Sequence, residues 1–383
     1  MNTAESQVAD ERINLLGLQK ADLESFVGGL GSKPFRARQL MNWLYKRGES
    51  DISAMTDLAK DFRAQLAQRA EVKLPEIVKT QVASDGTRKW LLSGGNGQAF
   101  EMVFIPEEER GTLCISSQVG CVLDCTFCST AQQGFNRNLT TAEIVGQVWL
   151  ANRELAGEQG WKAGPGEKEG GRIITNIVLM GMGEPLANFR NVVPAIRIFL
   201  DDLGFDISRR RVTLSTSGLV PQIYKLAQET NCALAVSLHA PNDELRSELV
   251  PINRKHNIAE LLEACWHYLD EQNGRSVTFE YVMLDGVNDQ PRHARELARL
   301  LHGKPAKLNL IPFNPFPGTK YRRSPQAAIE AFRDELNARG LIATIRKTRG
   351  DDIDAACGQL AGQVTDRTIV RLGSKTFGLQ VRA

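Results

Sequence analysis

The chain has 383 residues, 42% hydrophobic and 24% charged, values that fit a globular protein and exclude a fibrous or largely disordered one. Its 47 Lys and Arg residues against 45 Asp and Glu leave a formal net charge of +2. The chain as a whole is therefore no polycation, and any surface for nucleic acid must be a local patch.

No apolar run approaches the roughly 18 residues of a membrane span, and the first residues lack a basic-then-apolar export signal. We therefore expect a cytoplasmic protein that makes no membrane contact. In a reducing compartment, its seven cysteines are expected to be metal ligands, catalytic thiols or core residues rather than structural disulfides.

Residues 1–72 are predicted to form a small helical domain. Three segments there carry apolar residues at helical spacing: NLLGLQKADLESFVGGLG, PFRARQLMNWLYKRG and DISAMTDLAKDFRAQLAQRA. The next segment, 73–107, alternates apolar and polar residues around Asp85 and Gly86 and around a glycine-rich turn at 94–97, as hairpin strands do. We expect it to be a short β-hairpin linker to the main body.

From 108 to 349, short β-branched runs alternate with longer helical stretches. This βα order predicts parallel strands with crossover helices, in a full or partial α/β barrel or in a doubly wound sheet. One helix should begin at Thr140, because Thr140 and Glu143 have capping-box spacing. The glycine-rich stretch 156–171 is predicted to be a surface loop. Residues 350–383 are predicted to form a C-terminal segment that carries a cysteine loop.

The most specific local signal is the C-x3-C-x2-C spacing of Cys121, Cys125 and Cys128, between a predicted strand and a capped helix. Three thiolates in one short loop can each hold one iron of a [4Fe-4S] cube and leave the fourth iron without a protein ligand. The alternative is a zinc site completed by Cys114, seven residues upstream, because structural zinc takes four such ligands.

Further motifs accompany the triplet: GMGEP at 181–185, RRVTLSTSG at 210–218, SLHAPND at 237–243, LIPFNPFPG at 310–318 and KTRGDDIDAACGQLAG at 347–362. Together they resemble the RlmN/Cfr family of radical S-adenosylmethionine (SAM) RNA adenine methyltransferases, most closely its RlmN branch, over nearly the whole chain. The resemblance implies a partial (β/α)6 TIM-type barrel, one [4Fe-4S] cluster held by the three cysteines, and SAM on the open iron. It implies methylation of carbon 2 of adenine 2503 in 23S rRNA and of adenine 37 in tRNAs.

The same resemblance implies a set of SAM contacts. A carboxylate in GMGEP suits the ammonium group of SAM, and the motifs follow predicted strands, where α/β barrels build their sites. Period-two alternation would place two of the contacts, Ser237 and His239, on one strand face. The full set is Gly183, Glu184, Ser215, Ser237, Leu238, His239 and Asn314.

The sequence pattern alone would allow Cys114 and Cys357 to be ordinary core residues, because free cysteine packs well in cores. Only the resemblance gives them chemical roles. It implies that Cys357 is the S-methylcysteine intermediate and that Cys114, read as the start of the first barrel strand, is the resolving thiol that forms a transient disulfide with it. It also implies that Glu101 is the proton acceptor. Cys232 and Cys265 lie on apolar stripes and are predicted to be core residues.

Carbon 2 of adenine is electron-poor, so it does not attack a methyl sulfonium directly. In the family's chemistry, Cys357 takes a methyl group from one SAM, and a second SAM is cleaved reductively to a radical that activates this methyl group. After the carbon adds to adenine, Cys114 attacks the Cys357 sulfur and releases the RNA. Two SAM molecules, an external electron donor and a disulfide reductant are therefore implied.

The implied partners are 23S rRNA and tRNA, bound by a monomer. An adenine must be unstacked to reach a buried site, and phosphate contacts should supply affinity. The basic residues around Trp43 and Tyr45 in the N-terminal domain could bind RNA, or they could simply form the solvated face of a helix. The candidate basic residues are Lys33, Arg36, Arg38, Lys46, Arg47, Arg209, Arg210, Arg211, Arg346, Lys347 and Arg349.

Two rival functions stay open from the residues. A Cfr-type enzyme would methylate carbon 8 of the same rRNA adenine with the same cysteines. A zinc-stabilised RNA-binding protein would carry out no catalysis.

Overall fold

The computed structural model describes residues 12–157, 172–274 and 276–367. The predicted loop 156–171 lies outside the described residues except for its first two positions. Within the described ranges, no helix combines the length and apolar character needed to cross a membrane.

The N-terminal unit confirms the three predicted helices, α1 (Lys20–Gly29), α2 (Phe35–Met41) and α3 (Lys60–Arg69). A π-helical turn, Asn42–Lys46, continues α2. The two ends of the unit meet where β1 (Ile13–Asn14) pairs in parallel with β2 (Ala70–Glu71). The apolar positions of the helices form its core, with Leu23, Val27, Leu40, Leu44, Phe62 and Leu66 buried.

The predicted hairpin region forms three antiparallel strands, β3 (Ile77–Val82), β4 (Arg88–Gly95) and β5 (Gln98–Glu107). Strand β5 also pairs with β6 (Arg110–Cys114), and through it the three strands extend the main sheet. A separate two-stranded sheet follows, made of β7 (Gln118–Gly120) and β8 (Phe135–Asn138). The segment 73–107 is thus joined to the barrel sheet by backbone hydrogen bonds and not only by chain connection.

Seven parallel strands make up the rest of the main sheet: β6, β9 (Asn176–Leu179), β10 (Val212–Thr216), β11 (Ala233–Ser237), β12 (Val277–Met283), β13 (Ala306–Pro312) and β14 (Ile342–Ile345). The sheet order is β14-β13-β12-β11-β10-β9-β6-β5-β4-β3, so that successive parallel strands are neighbours and helices make the six crossovers between them. Strands β14 and β3 are the ends of the described sheet, as in a partial barrel.

The helices of the main body are α4 (Ser129–Gln132), α5 (Thr141–Ala156), α6 (Phe189–Leu200), α7 (Val220–Glu229), α8 (Asp243–Leu249), α9 (Ile258–Gln272), α10 (Pro291–Leu300) and α11 (Gln326–Ala338). Short 3-10 turns occur at Leu15–Gly17, Ile52–Ala54, Pro185–Asn188, Arg209–Arg211, Pro251–Arg254 and Asp351–Ile353. The predicted capping box opens α5: Glu143 N donates to Thr140 Oγ1 at 3.2 Å, and Thr140 N donates to Glu143 Oε2 at 2.8 Å. It satisfies two backbone donors that helix geometry leaves free.

The main core lies between the sheet and these helices, and it contains Cys232 and Cys265, as predicted. A smaller apolar cluster lies at the carboxyl ends of the strands, where Val122, Leu123 and Cys125 pack against Val282 and Phe313. The cysteine triplet is therefore seated on its own small core.

Candidate active site

A pocket of about 1010 Å³, measured with its open mouth, lies at the carboxyl ends of the parallel strands. Cys121, Cys125, Cys128 and Cys357 all line it. Five predicted SAM contacts line it as well: Gly183, Glu184, Ser215, Ser237 and His239. The end of the barrel that the motif positions indicated is therefore where the cavity is found.

Four predicted site residues do not line this pocket. Leu238 is fully buried below it, and Asn314 lies beside a separate small cavity on the other side of Cys357. Glu101 and Cys114 are buried in neighbouring strands of the sheet. In this conformation, these four residues do not line the pocket itself.

The triplet loop connects β7 to α4 and is held by backbone contacts. Cys121 N donates to Gly134 O at 2.7 Å, and Cys128 N donates to Cys125 O at 3.2 Å. Thr126 N donates to Leu249 O at 3.1 Å. These bonds direct three thiols toward one cavity within a span of eight residues.

The environment of the three thiols disfavours free thiolates. Burial raises the pKa of Cys121, Cys125 and Cys128, and repulsion from neighbouring cysteines raises it further. Three thiolates can therefore exist together here only beside positive charge, which a bound metal group supplies.

All three cysteines of the triplet line the pocket, as ligands of one shared cluster would. Among the described residues, no group of three or more His, Cys, Asp or Glu side chains, the triplet included, is arranged as a ready metal site. Cys114, the fourth ligand in the zinc alternative, instead interacts electrostatically with Cys357 and Arg346. The residues present thus fit a cluster with three cysteine ligands.

The GMGEP segment follows β9 and approaches β7 very closely. Gly183 has a φ of +103°, and a Cβ atom there would lie 2.6 Å from side-chain carbons of Gln118. Only glycine fits this position. The close approach brings the GMGEP backbone into the pocket wall.

Glu184 is a buried carboxylate whose two oxygens accept hydrogen bonds from the backbone. Leu186 N donates to Oε1 at 3.0 Å, and Ser217 N donates to Oε2 at 2.8 Å. Burial raises the pKa of Glu184, and these N–H groups oppose the shift. The carboxylate therefore connects the ends of β9 and β10 and lines the pocket, where a negative charge suits an ammonium group.

His239 lines the pocket but is not on the strand. Strand β11 ends at Ser237, and His239 has a left-handed φ of +59°, so the prediction that Ser237 and His239 share one strand face is wrong. Its Nδ1 accepts a hydrogen bond from Val282 N at 3.0 Å, and Phe127 lies edge-on to the ring at 4.6 Å. Burial and the nearby Arg246 lower the pKa of His239 to about 3. The ring is therefore neutral at physiological pH and carries its proton on Nε2.

Cys357 lies in a loop that contacts several distant elements. Ser129 N donates to Gly358 O at 2.9 Å, and Thr130 Oγ1 donates to Leu360 O at 2.7 Å. Asn314 Nδ2 donates to Cys357 O at 3.3 Å. These contacts place Cys357 on the pocket wall with the triplet.

Cys114 is the last residue of β6, so the prediction that it begins the strand is wrong. Burial raises its pKa to about 12, and interaction with Cys357 adds to the rise. Arg346 opposes the increase at both thiols, because its guanidinium lies near both. The two cysteines are thus neighbours that share one cation.

Glu101 is buried on β5 and forms an ion pair with Lys89 on β4, Nζ to Oε1 at 3.3 Å. Its Oε2 accepts a hydrogen bond from Ala361 N at 2.9 Å, and Lys89 Nζ donates to Asp354 O at 3.1 Å. The pair therefore holds both sides of the Cys357 loop. Reasoning from the sequence missed Lys89, although the hairpin register that pairs Leu91 with Glu101 would place Lys89 diagonally beside the acid.

Two groups of the candidate RNA-binding residues lie in different surroundings. Arg346 lines the pocket, where it interacts with Glu280, Cys357 and Cys114, so its charge is engaged inside the site. The cluster Arg209–Arg211 is exposed but precedes β10, at the opposite end of the strand from the pocket.

Comparison with known proteins extends these observations. Residues 13–72 match a family model described as the ribosomal RNA large subunit methyltransferase N-terminal domain, and residues 167–298 match the radical SAM superfamily. A crystal structure of a radical SAM methyltransferase from Sphaerobacter thermophilus is 45% identical, with a TM-score of 0.82, and the match covers 91% of this chain and 99% of that one.

A more distant similarity is to SuiB from Streptococcus suis bound to S-adenosylmethionine. It is 14% identical with a TM-score of 0.43, and the match covers 65% of this chain and 57% of that one.

Proposed function

This chain belongs to the RlmN family of radical SAM methyltransferases, and on that premise we propose that it methylates carbon 2 of an adenine in RNA. The proposed targets are adenine 2503 of 23S rRNA and adenine 37 of tRNAs, the targets implied by the resemblance. The observation that carries the proposal is that Cys357 lines the same pocket as the cysteine triplet, with Cys114 close to it. Membership of this family is inconsistent with a non-catalytic zinc protein.

Cys121, Cys125 and Cys128 would hold the [4Fe-4S] cluster, and Gly183, Glu184, Ser215, Ser237 and His239 would contact SAM, with Leu238 and Asn314 supporting them. When bound, the cluster and SAM supply reductive cleavage of the sulfonium and the hydrogen abstraction that follows. The chain's own part is to shape the pocket. Glu184 offers a carboxylate to the ammonium group, and neutral His239 donates from Nε2 without adding positive charge beside a sulfonium.

Cys357 is proposed to accept the methyl group. Its thiolate attacks the methyl carbon of SAM, a C–S bond forms, and the S–CH3 bond of the sulfonium breaks. Burial raises the pKa of Cys357, whereas Arg346 lowers it and Glu280 raises it. Arg346 therefore favours the reactive thiolate in an otherwise unfavourable site.

Cys114 is proposed to release the product. Its thiolate attacks the Cys357 sulfur, the bond from that sulfur to the transferred carbon breaks with its electron pair going to the carbon, and a Cys114–Cys357 disulfide forms. The carbon takes up a proton to complete the methyl group, and the unpaired electron of the adenine adduct returns to the external electron carrier. An external dithiol must then supply two electrons and two protons to restore both thiols. Glu101 is proposed to accept the ring proton of adenine, which requires release of the contact with Ala361 N or with Lys89.

RNA is proposed to bind as an unstacked segment over the pocket mouth, because the reacting carbon must reach a cavity that a stacked base cannot enter. Lys33, Arg36 and Arg38 of the N-terminal unit and Lys347 near the pocket remain candidates for phosphate contacts. We further propose that the protein acts as a cytoplasmic monomer and takes electrons from an external donor.

The test is anaerobic turnover of reconstituted protein with SAM, a reductant and an rRNA fragment, followed by mass spectrometry against nucleoside standards. We expect 2-methyladenosine from the native chain and no methylated adenosine from Cys357→Ala. Formation of 8-methyladenosine would support the Cfr-type alternative, and normal turnover by Cys357→Ala would reject the methyl-carrier role.

A further inference from the structure

Arg246, on α8, is fully buried, with 0% of its surface exposed. Its guanidinium donates four hydrogen bonds, all to neutral oxygens. The acceptors are Leu238 O at 3.2 Å from Nε, Asn253 Oδ1 at 2.8 Å from Nη1, and Ser217 O at 2.7 Å and Ser237 O at 2.9 Å from Nη2. The hydrogen bonds satisfy the donors but do not neutralise the charge.

Asp243, at the start of the same helix, does not pair with Arg246 directly. Asp243 interacts favourably with it over a distance. However, Asp243 Oδ1 accepts hydrogen bonds from Asn253 Nδ2 at 2.9 Å and from Ile258 N at 2.8 Å. Within the described parts of the chain, Arg246 has no directly paired carboxylate. A buried cation of this kind is costly to fold, so its presence needs an explanation beyond packing.

The location of Arg246 supplies one. Two of its acceptors lie at strand ends: Ser217 follows β10, and Ser237 is the last residue of β11. Both line the pocket. Ser217 Oγ lies 4.0 Å from the Sγ of Cys125, and Arg246 interacts electrostatically with Cys125. The guanidinium therefore lies behind the strand ends, one residue removed from Cys125 through Ser217 and within electrostatic range of it.

We propose that Arg246 is a positioning residue that fixes the cofactor-facing ends of β10 and β11, and that its charge is the buried counterion of the cluster. The inference rests on the proposed use of the triplet as cluster ligands. Three thiolates bring negative charge into the pocket, and one-electron reduction of a cluster adds another. A fixed cation behind Cys125 stabilises the reduced form more than the oxidised form, because net local charge is one determinant of cluster potential.

The two parts of the role can be separated by substitution. Arg246→Lys retains a positive charge but loses the planar fork that binds three backbone carbonyls. Arg246→Gln loses the charge while keeping some donor capacity. Arg339→Gln, at an exposed arginine beyond α11 paired with Glu335, is the matched control.

The experiment uses the reconstituted full-length protein, without RNA, and measures the cluster's midpoint potential by EPR-monitored titration and SAM affinity by equilibrium dialysis. We expect Arg246→Gln to make reduction at least tenfold less favourable, about 59 mV for a one-electron couple. Arg246→Lys should keep the native potential but bind SAM about tenfold more weakly, and Arg339→Gln should match the native protein in both.

A native potential in folded, iron-replete Arg246→Gln would overturn the charge assignment, and native SAM affinity in Arg246→Lys would overturn the positioning role. If Arg246→Gln does not retain iron, iron content decides: higher retention in Arg246→Lys supports the counterion, and equal loss in both variants overturns it. Because neither RNA nor methyl transfer enters these measurements, failure of the carbon 2 assignment would leave the result interpretable.

Discussion

The triplet loop (residues 121–128) and the Cys357 loop (residues 350–362) bring reactive thiols to the same pocket in different ways. The first holds three cysteines within eight residues, so their proximity follows from chain connectivity. The second carries one cysteine, which reaches the pocket only because β4, β5, α4 and the 313–315 segment hold its backbone. A site built locally depends on few residues, whereas one built from distant elements can be weakened at many positions.

The largest contrast should come from removing one thiol from each loop. Cys125→Ala should lose iron as well as activity, because two remaining thiols hold a cluster poorly. Cys357→Ala should keep its iron and form no methylated RNA. Iron and sulfide content and turnover are measured for both variants. Cys265→Ala is the control for loss of a buried thiol. Iron loss in Cys357→Ala equal to that in Cys125→Ala would contradict the division.

The next largest effect should follow from Lys89→Met. This change leaves the Glu101 carboxylate buried without its partner, a loss of about 3–5 kcal/mol for a buried pair, and it frees Asp354 O. We expect a lower free energy of unfolding and faster alkylation of Cys357 by iodoacetamide in the folded protein. The double variant Lys89→Met/Glu101→Gln should recover part of the stability, because no charge remains unpaired. Equal stability of the single and double variants would argue against the buried pair.

A smaller effect is expected from Arg346→Met. Burial raises the pKa of Cys357 and Arg346 opposes the rise, so a thiolate forms only at higher pH than for an ordinary thiol. In the native protein, the rate of Cys357 alkylation should therefore keep rising as the pH is increased beyond the pKa of an ordinary thiol. Without Arg346 the pKa of Cys357 should rise further. A rise of about one pKa unit would lower the rate of alkylation at pH 8 about tenfold. Lys347→Met, at the adjacent position, is the control. If Arg346→Met shifted the pH profile of alkylation to lower pH, Arg346 would not be the group that favours the Cys357 thiolate.

The smallest predicted effect concerns one hydrogen bond between α4 and the Cys357 loop. Thr130→Val removes the donor to Leu360 O but keeps the side-chain shape, at a cost of about 1 kcal/mol. Hydrogen exchange at residues 357–361 should speed up by about fivefold. Thr141→Val, which also loses a buried hydroxyl hydrogen bond, is the control and should leave that exchange unchanged.

Local patterns predicted much of this architecture. The three N-terminal helices, the capping box at Thr140 and the parallel βα order each depend on residues within one element, where periodicity and capping act. The triplet could be recognised for the same reason. Strand polarity then placed Gly183, Glu184, Ser215 and Ser237 at one end of the barrel.

Side-chain direction and long-range contacts could not be predicted in this way. His239 adopts a left-handed φ beyond its strand, Arg346 turns into the pocket, and Lys89 reaches Asp354 across 265 residues. Reasoning from the sequence did not single out Arg246, because its complete burial depends on tertiary packing.

The amino-acid sequence by itself determined the order of helices and strands and the grouping of the three thiols, because both are set by interactions among near neighbours along the chain. The tertiary structure alone decided that Cys357 faces the triplet, that Cys114 stands beside it, and that Arg246 and the Lys89–Glu101 pair are buried around them. Those relations depend on how distant segments pack and exclude water, which changes the energetics of every charge involved.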